Sequence, residues 1–169
     1  LMRNEFGFER WEDWDVDLFE KIEESLLTKT RDFHHKIMGF DKSPSAVEKA
    51  MQNVENAKLE DFIYIKHEDF FKTQKGGEEH LHMVFNPPYG ERLDIEMESF
   101  YGAIGSTLKH KYPGTNAWMI SSNLEALKFI ALRPSRKIKL FNAKLEAKFL
   151  KFEMYAGTKK THKLKTKKD

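Results

Sequence analysis

The apolar positions of this chain change their period repeatedly, and each change marks an element. Leu18, Phe19, Ile22 and Leu26 recur at helical spacing behind Asp13 or Asp15, either of which can serve as the N-cap, so an amphipathic helix is predicted from Val16. His34 to Phe40 reads as a short buried strand closing in Gly39-Phe40-Asp41. Ser43-Pro44 then supplies an N-cap and a proline at the first helical position, and Ala46, Val47, Ala50, Met51 and Val54 form one stripe of a helix that ends near Leu59. Phe62-Ile63-Tyr64-Ile65 is the next strand, and Leu81 to Phe85 follows as another after a loop broken at Gly76-Gly77.

Met97, Phe100, Tyr101, Ile104 and Leu108 restore the helical period, which Tyr112-Pro113-Gly114 stops; Gly102 and Gly105 inside that helix read as points of close packing. Ala117 to Ile120 is strand-like, Asn123 a cap, and Leu124 to Leu132 a short helix. Lys137–Phe141 and Leu145–Phe152, separated by Asn142-Ala143-Lys144, read as an antiparallel hairpin at a sheet edge. Alternating strands and helices predict the α/β class: a parallel sheet covered on both faces, with a C-terminal antiparallel hairpin. Residues 1–14 hold Phe6, Phe8, Trp11 and Trp14 without a clean period and read as an irregular segment pinned by packing.

A length of 169 residues suits one compact domain. With no cysteine there is neither a disulfide framework nor a thiolate metal site, as suits a reducing, cytoplasmic setting. No apolar run approaches the roughly 18 residues of a membrane span, and Leu1-Met2-Arg3-Asn4 lacks the features of a signal peptide, so a soluble, unexported protein is expected. The net charge of +2 is uneven: the last twelve residues carry six lysines and one aspartate, a charge of +5, which leaves −3 on residues 1–157. A basic, disordered tail at 158–169 is expected, equally able to contact nucleic acid or to be solvated.

Chemistry gathers at strand ends, where open α/β sheets bind ligands. Asp41, Asp69 and Asn86 all fall there. An acid at a strand end can accept both hydroxyls of a ribose, and a second acid beside an aromatic, Asp69-Phe70, can bind and stack an adenine. Each acid alone reads equally as a helix or turn cap. Asn86-Pro87-Pro88-Tyr89 is more pointed, because two consecutive prolines forbid further strand pairing and leave the Pro87 carbonyl unpaired beside the Asn86 amide. The exocyclic amine of a nucleobase is a poor nucleophile, its lone pair being delocalised into the ring. Two fixed acceptors can hold its N–H bonds and aim that lone pair, while Tyr89 stacks on the base. Glu91 and Arg92 can orient the base or meet phosphate, or form a helix-start ion pair. His34-His35 and His80-x-His82 lack convergent acids or thiols, and no metal is expected.

Phe6-Gly7-Phe8-Glu9-Arg10-Trp11, Gly39-Phe40-Asp41, Ala46-Val47 with Asn53, Asn86-Pro87-Pro88-Tyr89-Gly90-Glu91-Arg92, Tyr112-Pro113-Gly114, and Leu140-Phe141-Asn142 with Leu145-Glu146 together resemble the S-adenosylmethionine-dependent guanine-N2 methyltransferases of large-subunit ribosomal RNA, proteins often called N6-adenine-specific DNA methylases. The resemblance spans nearly all of residues 3–155. It implies a Rossmann-like, seven-stranded methyltransferase sheet, Asp41 as ribose ligand, Asp69 and Phe70 at the adenine, Asn86 serving both cofactor and substrate, and Asn86, Pro87, Pro88 and Tyr89 as the catalytic loop. It further implies S-adenosylmethionine as cofactor, ribosomal RNA as partner, and an RNA-binding THUMP domain preceding the catalytic one.

One departure is decisive for the expected activity. The family's first strand ends in a glycine-rich loop that serves the methionine part of the cofactor, and no Gly-x-Gly occurs anywhere in this sequence. Residues 1–157 are therefore expected to be the C-terminal part of a catalytic domain, with exposed pairing edges and weak or no cofactor binding when alone. An N6-adenine methylase of DNA or RNA, or a protein glutamine methylase, would use the same Asn-Pro-Pro-Tyr chemistry, and a non-catalytic RNA-binding module remains a separate reading.

Overall fold

A computed structural model describes residues 6–77, 80–88, 96–142 and 144–155. The chain divides into two compact units, Leu1–Phe70 and Phe71–Asp169.

The first unit opens with a 3-10 turn, Gly7–Arg10, and helix α1, Val16–Leu27. Asp15 is the N-cap, its carboxylate accepting the Leu18 N–H at 2.9 Å. The expected aromatic pinning is present: Phe8 stacks on Phe6 and packs against Trp11, Trp14 and Phe19. Strand β1 (Ile37–Asp41), helix α2 (Pro44–Asn56) and strand β2 (Ile63–His67) follow. The two strands run parallel, with Gly39 opposite Ile65 and Asp41 opposite His67. Pro44 occupies the first helical turn as its fixed φ favours, but the Ser43 side chain bonds to Ser45 rather than to the helix backbone.

Two expectations need correction here. β1 begins at Ile37, not His34, and it is not buried: Ile37, Met38 and Phe40 are 48, 49 and 48% exposed. Its residues are apolar on both faces, as in a strand built for the interior of a parallel sheet. The α1 stripe is likewise open, with Leu18, Ile22 and Leu26 about half exposed or more.

The second unit is better covered. Strand β3 (Leu81–Phe85), helix α3 (Met97–Lys111), strand β4 (Thr115–Ser121), a 3-10 helix Ala126–Ile130, and strands β5 (Arg136–Asn142) and β6 (Leu145–Glu153) form a sheet of order β3-β4-β6-β5. β3 and β4 are parallel, with Phe85 opposite Met119; β6 is antiparallel to both β4 and β5, which puts β5 at the edge as the hairpin pattern predicts. Thr115, Ala117, Met119 and Ser121 form the buried face of β4, continued by Leu150 and Phe152 of β6. Tyr101, Ile104 and Leu108 of α3 are buried with them. Gly114 ends the α3 turn at φ 70°, a conformation that favours glycine, and its N–H donates to Met154 O at 2.7 Å.

Of the short helix that the pattern predicts over Leu124–Leu132 the structure keeps only the 3-10 segment Ala126–Ile130, and the side-chain oxygen of Asn123, three residues ahead of it, accepts the Ala126 N–H at 2.9 Å. That segment lies against α3 so closely that a Cβ built on Gly105 would fall 1.9 Å from the Ile130 carbonyl oxygen. A Cβ on Gly102 would meet only the Phe129 carbonyl oxygen at an ordinary 3.7 Å. At the far end of the sheet Glu153 accepts from Lys151 Nζ at 2.8 Å and from Tyr155 Oη at 2.7 Å, and the Lys151 bond foremost lowers its pKa.

Gly105→Ala is therefore expected to destabilise by about 1–3 kcal/mol through overpacking, whereas Gly102→Ala should gain about 0.5–1 kcal/mol as a helix-interior glycine replacement; urea unfolding of both variants checks the contrast. Because the folded-state pKa of Glu153 is depressed, its contribution is complete above the ordinary carboxylate range and lost as pH falls through the lowered value. Glu153→Gln should then destabilise the fold at neutral pH by less than about 1 kcal/mol, as a partly exposed pair contributes, with the difference vanishing in acid; thermal melts at the two pH values check it.

Candidate functional site

Both parallel pairs bring sequence-flagged residues to their carboxyl ends. In the first unit Asp41 is the last residue of β1. Its Oδ1 accepts the Ser43 N–H at 2.7 Å and its backbone carbonyl accepts the Glu68 N–H at 3.0 Å. The turn thus uses one of the two carboxylate oxygens. His67 Nε2 bonds the Lys42 carbonyl at 2.9 Å, tying the ends of β1 and β2 together on their shared side.

Asp69 stands two residues beyond β2, less exposed than Asp41, and Phe70 starts a 3-10 turn. Lys42 Nζ lies 3.8 Å from Asp69 Oδ2. The structure therefore gathers Asp41, Lys42 and Asp69 at one end of the parallel pair. Lys42 carries no motif signal; it acquires its place because it follows Asp41 in the turn.

In the second unit Asn86, Pro87 and Pro88 leave β3 directly. Asn86 is exposed and Pro87 buried. The Pro88 carbonyl accepts a hydrogen bond from Tyr101 Oη of α3 at 3.2 Å. That hydroxyl also meets Ser121 Oγ at 2.8 Å, and Ser121 Oγ accepts the Asn123 N–H at 3.1 Å. Tyr101 and Ser121 are fully buried. In the sequence Tyr101 is one residue of the apolar stripe of α3 and Ser121 has no signal at all, since nothing local marks hydroxyls whose partners lie 13 and 20 residues away. Tyr89, Glu91 and Arg92 lie outside the described residues.

Histidines take other places. His80 and His82 pack edge to face at 4.7 Å, and His80 Nε2 meets Asn116 Nδ2 at 2.9 Å, at the amino end of β3 and away from Asn86. His35 packs on Phe33. Among the described residues no three His, Cys, Asp or Glu side chains are grouped as metal ligands, and no described helix is long and apolar enough to cross a membrane.

Residues 2–151 match the family described as RMKL-like, methyltransferase domain. The chain belongs to this family. Among its relatives, a ribosomal RNA large subunit methyltransferase K/L from Allochromatium vinosum is 29% identical over 160 residues, which cover 91% of this chain and 22% of that protein. The chain thus spans about a fifth of the length of such a relative. Among solved structures, SMU.472, crystallised with SAH, superposes with a TM-score of 0.77 at 24% identity, covering 91% of this chain and 41% of its own. A protein from Listeria monocytogenes described as a predicted N6-adenine-specific DNA methylase superposes at 0.59 with 26% identity, covering 70% of this chain and 30% of its own. The Rossmann-like α/β class and the expected family resemblance both hold.

Proposed function

We propose that the chain is the substrate-gripping part of an S-adenosylmethionine-dependent catalytic domain, and that the whole protein methylates the exocyclic N2 amine of a guanine in large-subunit ribosomal RNA. The observation that carries this reading is the Asn86-Pro87-Pro88 exit from a parallel strand, held by a buried hydroxyl, in a chain of the RMKL-like methyltransferase family. The ribosomal RNA named for the Allochromatium relative supports the substrate class. The adenine specificity named for the Listeria structure keeps N6-adenine as the second reading, since adenine presents the same planar amine.

The residues at the strand ends fit the cofactor. Asp41 is exposed, and its turn occupies one carboxylate oxygen, so the carboxylate can still accept from a ribose. Asp69 with Phe70 suits an adenine, and the Lys42–Asp69 pair, with Lys42 82% exposed, is weak enough to yield to a ligand. When bound, S-adenosylmethionine supplies an electrophilic methyl group on its sulfonium. The chain's own part is positional: the Asn86 amide oxygen and the Pro87 carbonyl accept the two N–H bonds of the amine and direct its lone pair, while Tyr89 stacks on the base and Glu91 and Arg92 orient it. Residues 1–157 form this part of the domain and 158–169 a basic tail, able to contact RNA or to be solvated. An upstream segment bearing the glycine-rich motif completes the cofactor site, with a THUMP domain beyond it, all in the cytoplasm. The isolated chain is then inactive.

The chain joined to a glycine-rich upstream segment, given ribosomal RNA lacking the modification, should yield N2-methylguanine on nucleoside mass spectrometry. N6-methyladenine would shift the assignment to the second reading, and no transfer would favour an RNA-binding module. Asn86→Ala in that joined protein should slow transfer on the order of 10²- to 10³-fold, as loss of one preorganised hydrogen-bonding group does; an unchanged rate removes Asn86 from the mechanism. Calorimetry on the isolated chain should show weak or no S-adenosylmethionine binding, and tight binding would sink the idea that it holds only part of the cofactor site.

A further inference from the structure

The segment from Asn86 to Pro88 contains five backbone rotations: ψ of Asn86, then φ and ψ of each proline. The pyrrolidine rings lock both φ angles near about −65°. The ψ angles of Asn86 and Pro87 each precede a proline and are confined to the extended region. Only ψ of Pro88 is left open by the covalent chemistry, and it sets where the Pro88 carbonyl points and in which direction the chain departs. That carbonyl is the group Tyr101 Oη holds at 3.2 Å.

The hydroxyl is itself held. A phenol has one proton, and here it goes to the Pro88 carbonyl. The 2.8 Å contact to Ser121 must then be a bond donated by Ser121 Oγ, which in turn accepts the Asn123 N–H at 3.1 Å. Asn123 N–H, Ser121, Tyr101 and Pro88 form one directional series from the end of β4, through α3, to the loop. Tyr101 is fully buried, so its ring cannot swing away to release the carbonyl.

We propose that Tyr101 is the positioning residue of the Asn86–Pro88 loop, its hydroxyl fixing the one backbone rotation that the two prolines leave open. The inference deepens the reading of the loop as an amine clamp and rests on it. Both acceptors, on Asn86 and Pro87, lie upstream of that rotation on a segment the prolines stiffen, so anchoring its far end at Pro88 holds the two as a unit against the substrate, where displacement by about 1 Å can cost on the order of 10²-fold in rate. Tyr101→Phe keeps the buried ring and removes only the hydroxyl.

In the joined protein Tyr101→Phe should lower kcat for methyl transfer on the order of 10- to 10²-fold, with KM for RNA and affinity for S-adenosylmethionine little changed. A hydroxyl of purely structural importance would lower the melting temperature and leave kcat per folded molecule intact, which would overturn the proposal. Ser121→Ala, which leaves the Tyr101–Pro88 bond in place but unsupported, should give a fall of a few-fold in the same direction; should Tyr101→Phe fail to fold, an unaltered kcat in Ser121→Ala overturns the proposal. NMR on the isolated chain separates this claim from the assignment of function: Asn86 amide order parameters should fall toward the flexible range, below about 0.6, in Tyr101→Phe. Unchanged order parameters would refute the positioning role even if the joined protein transfers methyl groups, and inactivity of the unsubstituted joined protein would count against the function alone.

Discussion

The register between β3 and β4 is the constraint on which the second unit depends. Phe85 lies opposite Met119, so the residues just beyond β3 emerge level with Ser121 at the end of β4. A parallel pair delivers both carboxyl ends to the same side, and side chains alternate faces with a period of two. Ser121 therefore faces α3 and Tyr101 because Thr115, Ala117 and Met119 face the core. A slip of one residue would send Ser121 to the opposite face and leave the Tyr101 hydroxyl without its donor. Burial of Met119 and Ala117, an apolar effect, is thus what places a polar contact at the loop.

The first unit repeats the logic with less cover. Its parallel pair also ends in a tied turn, where His67 holds the Lys42 carbonyl and Asp41 holds the Ser43 amide. These bonds fix backbone at the surface, and they leave Asp41 and Lys42 exposed. The contrast with the second unit is one of means: a short exposed network of side chain and main chain in one, a buried series of hydroxyls in the other.

Much of this was legible in the residues. The Asp15 and Asn123 caps, the stop at Gly114 and the edge hairpin follow from local chemistry, because each partner lies within a few positions. Gly105 was readable as a packing glycine, although only the backbone of Ile130 explains why it, and not Gly102, is indispensable. The exposure of β1 was not readable: an apolar run on both faces describes what a strand can be buried against, not what lies there. The 3-10 form of Ala126–Ile130 likewise depends on the closeness of α3, a contact between residues far apart in sequence. Tyr101 and Ser121 escaped notice for the same reason, each looking like an ordinary member of its own element.

The placement of β6 has a consequence for the order in which the molecule can be made. β6 lies between β4 and β5, so the strand bearing Ser121 gains its second neighbour only from residues 145–153. During synthesis β3, α3 and β4 can all leave the ribosome while one edge of β4 is still open. The loop at Asn86 is then held by a strand paired on one side, and the pairing of its other side waits for the antiparallel closure of a segment that begins about two dozen residues after Ser121. Long-range pairings of this kind form late, which makes the hold on the loop a property of the finished sheet rather than of the loop alone.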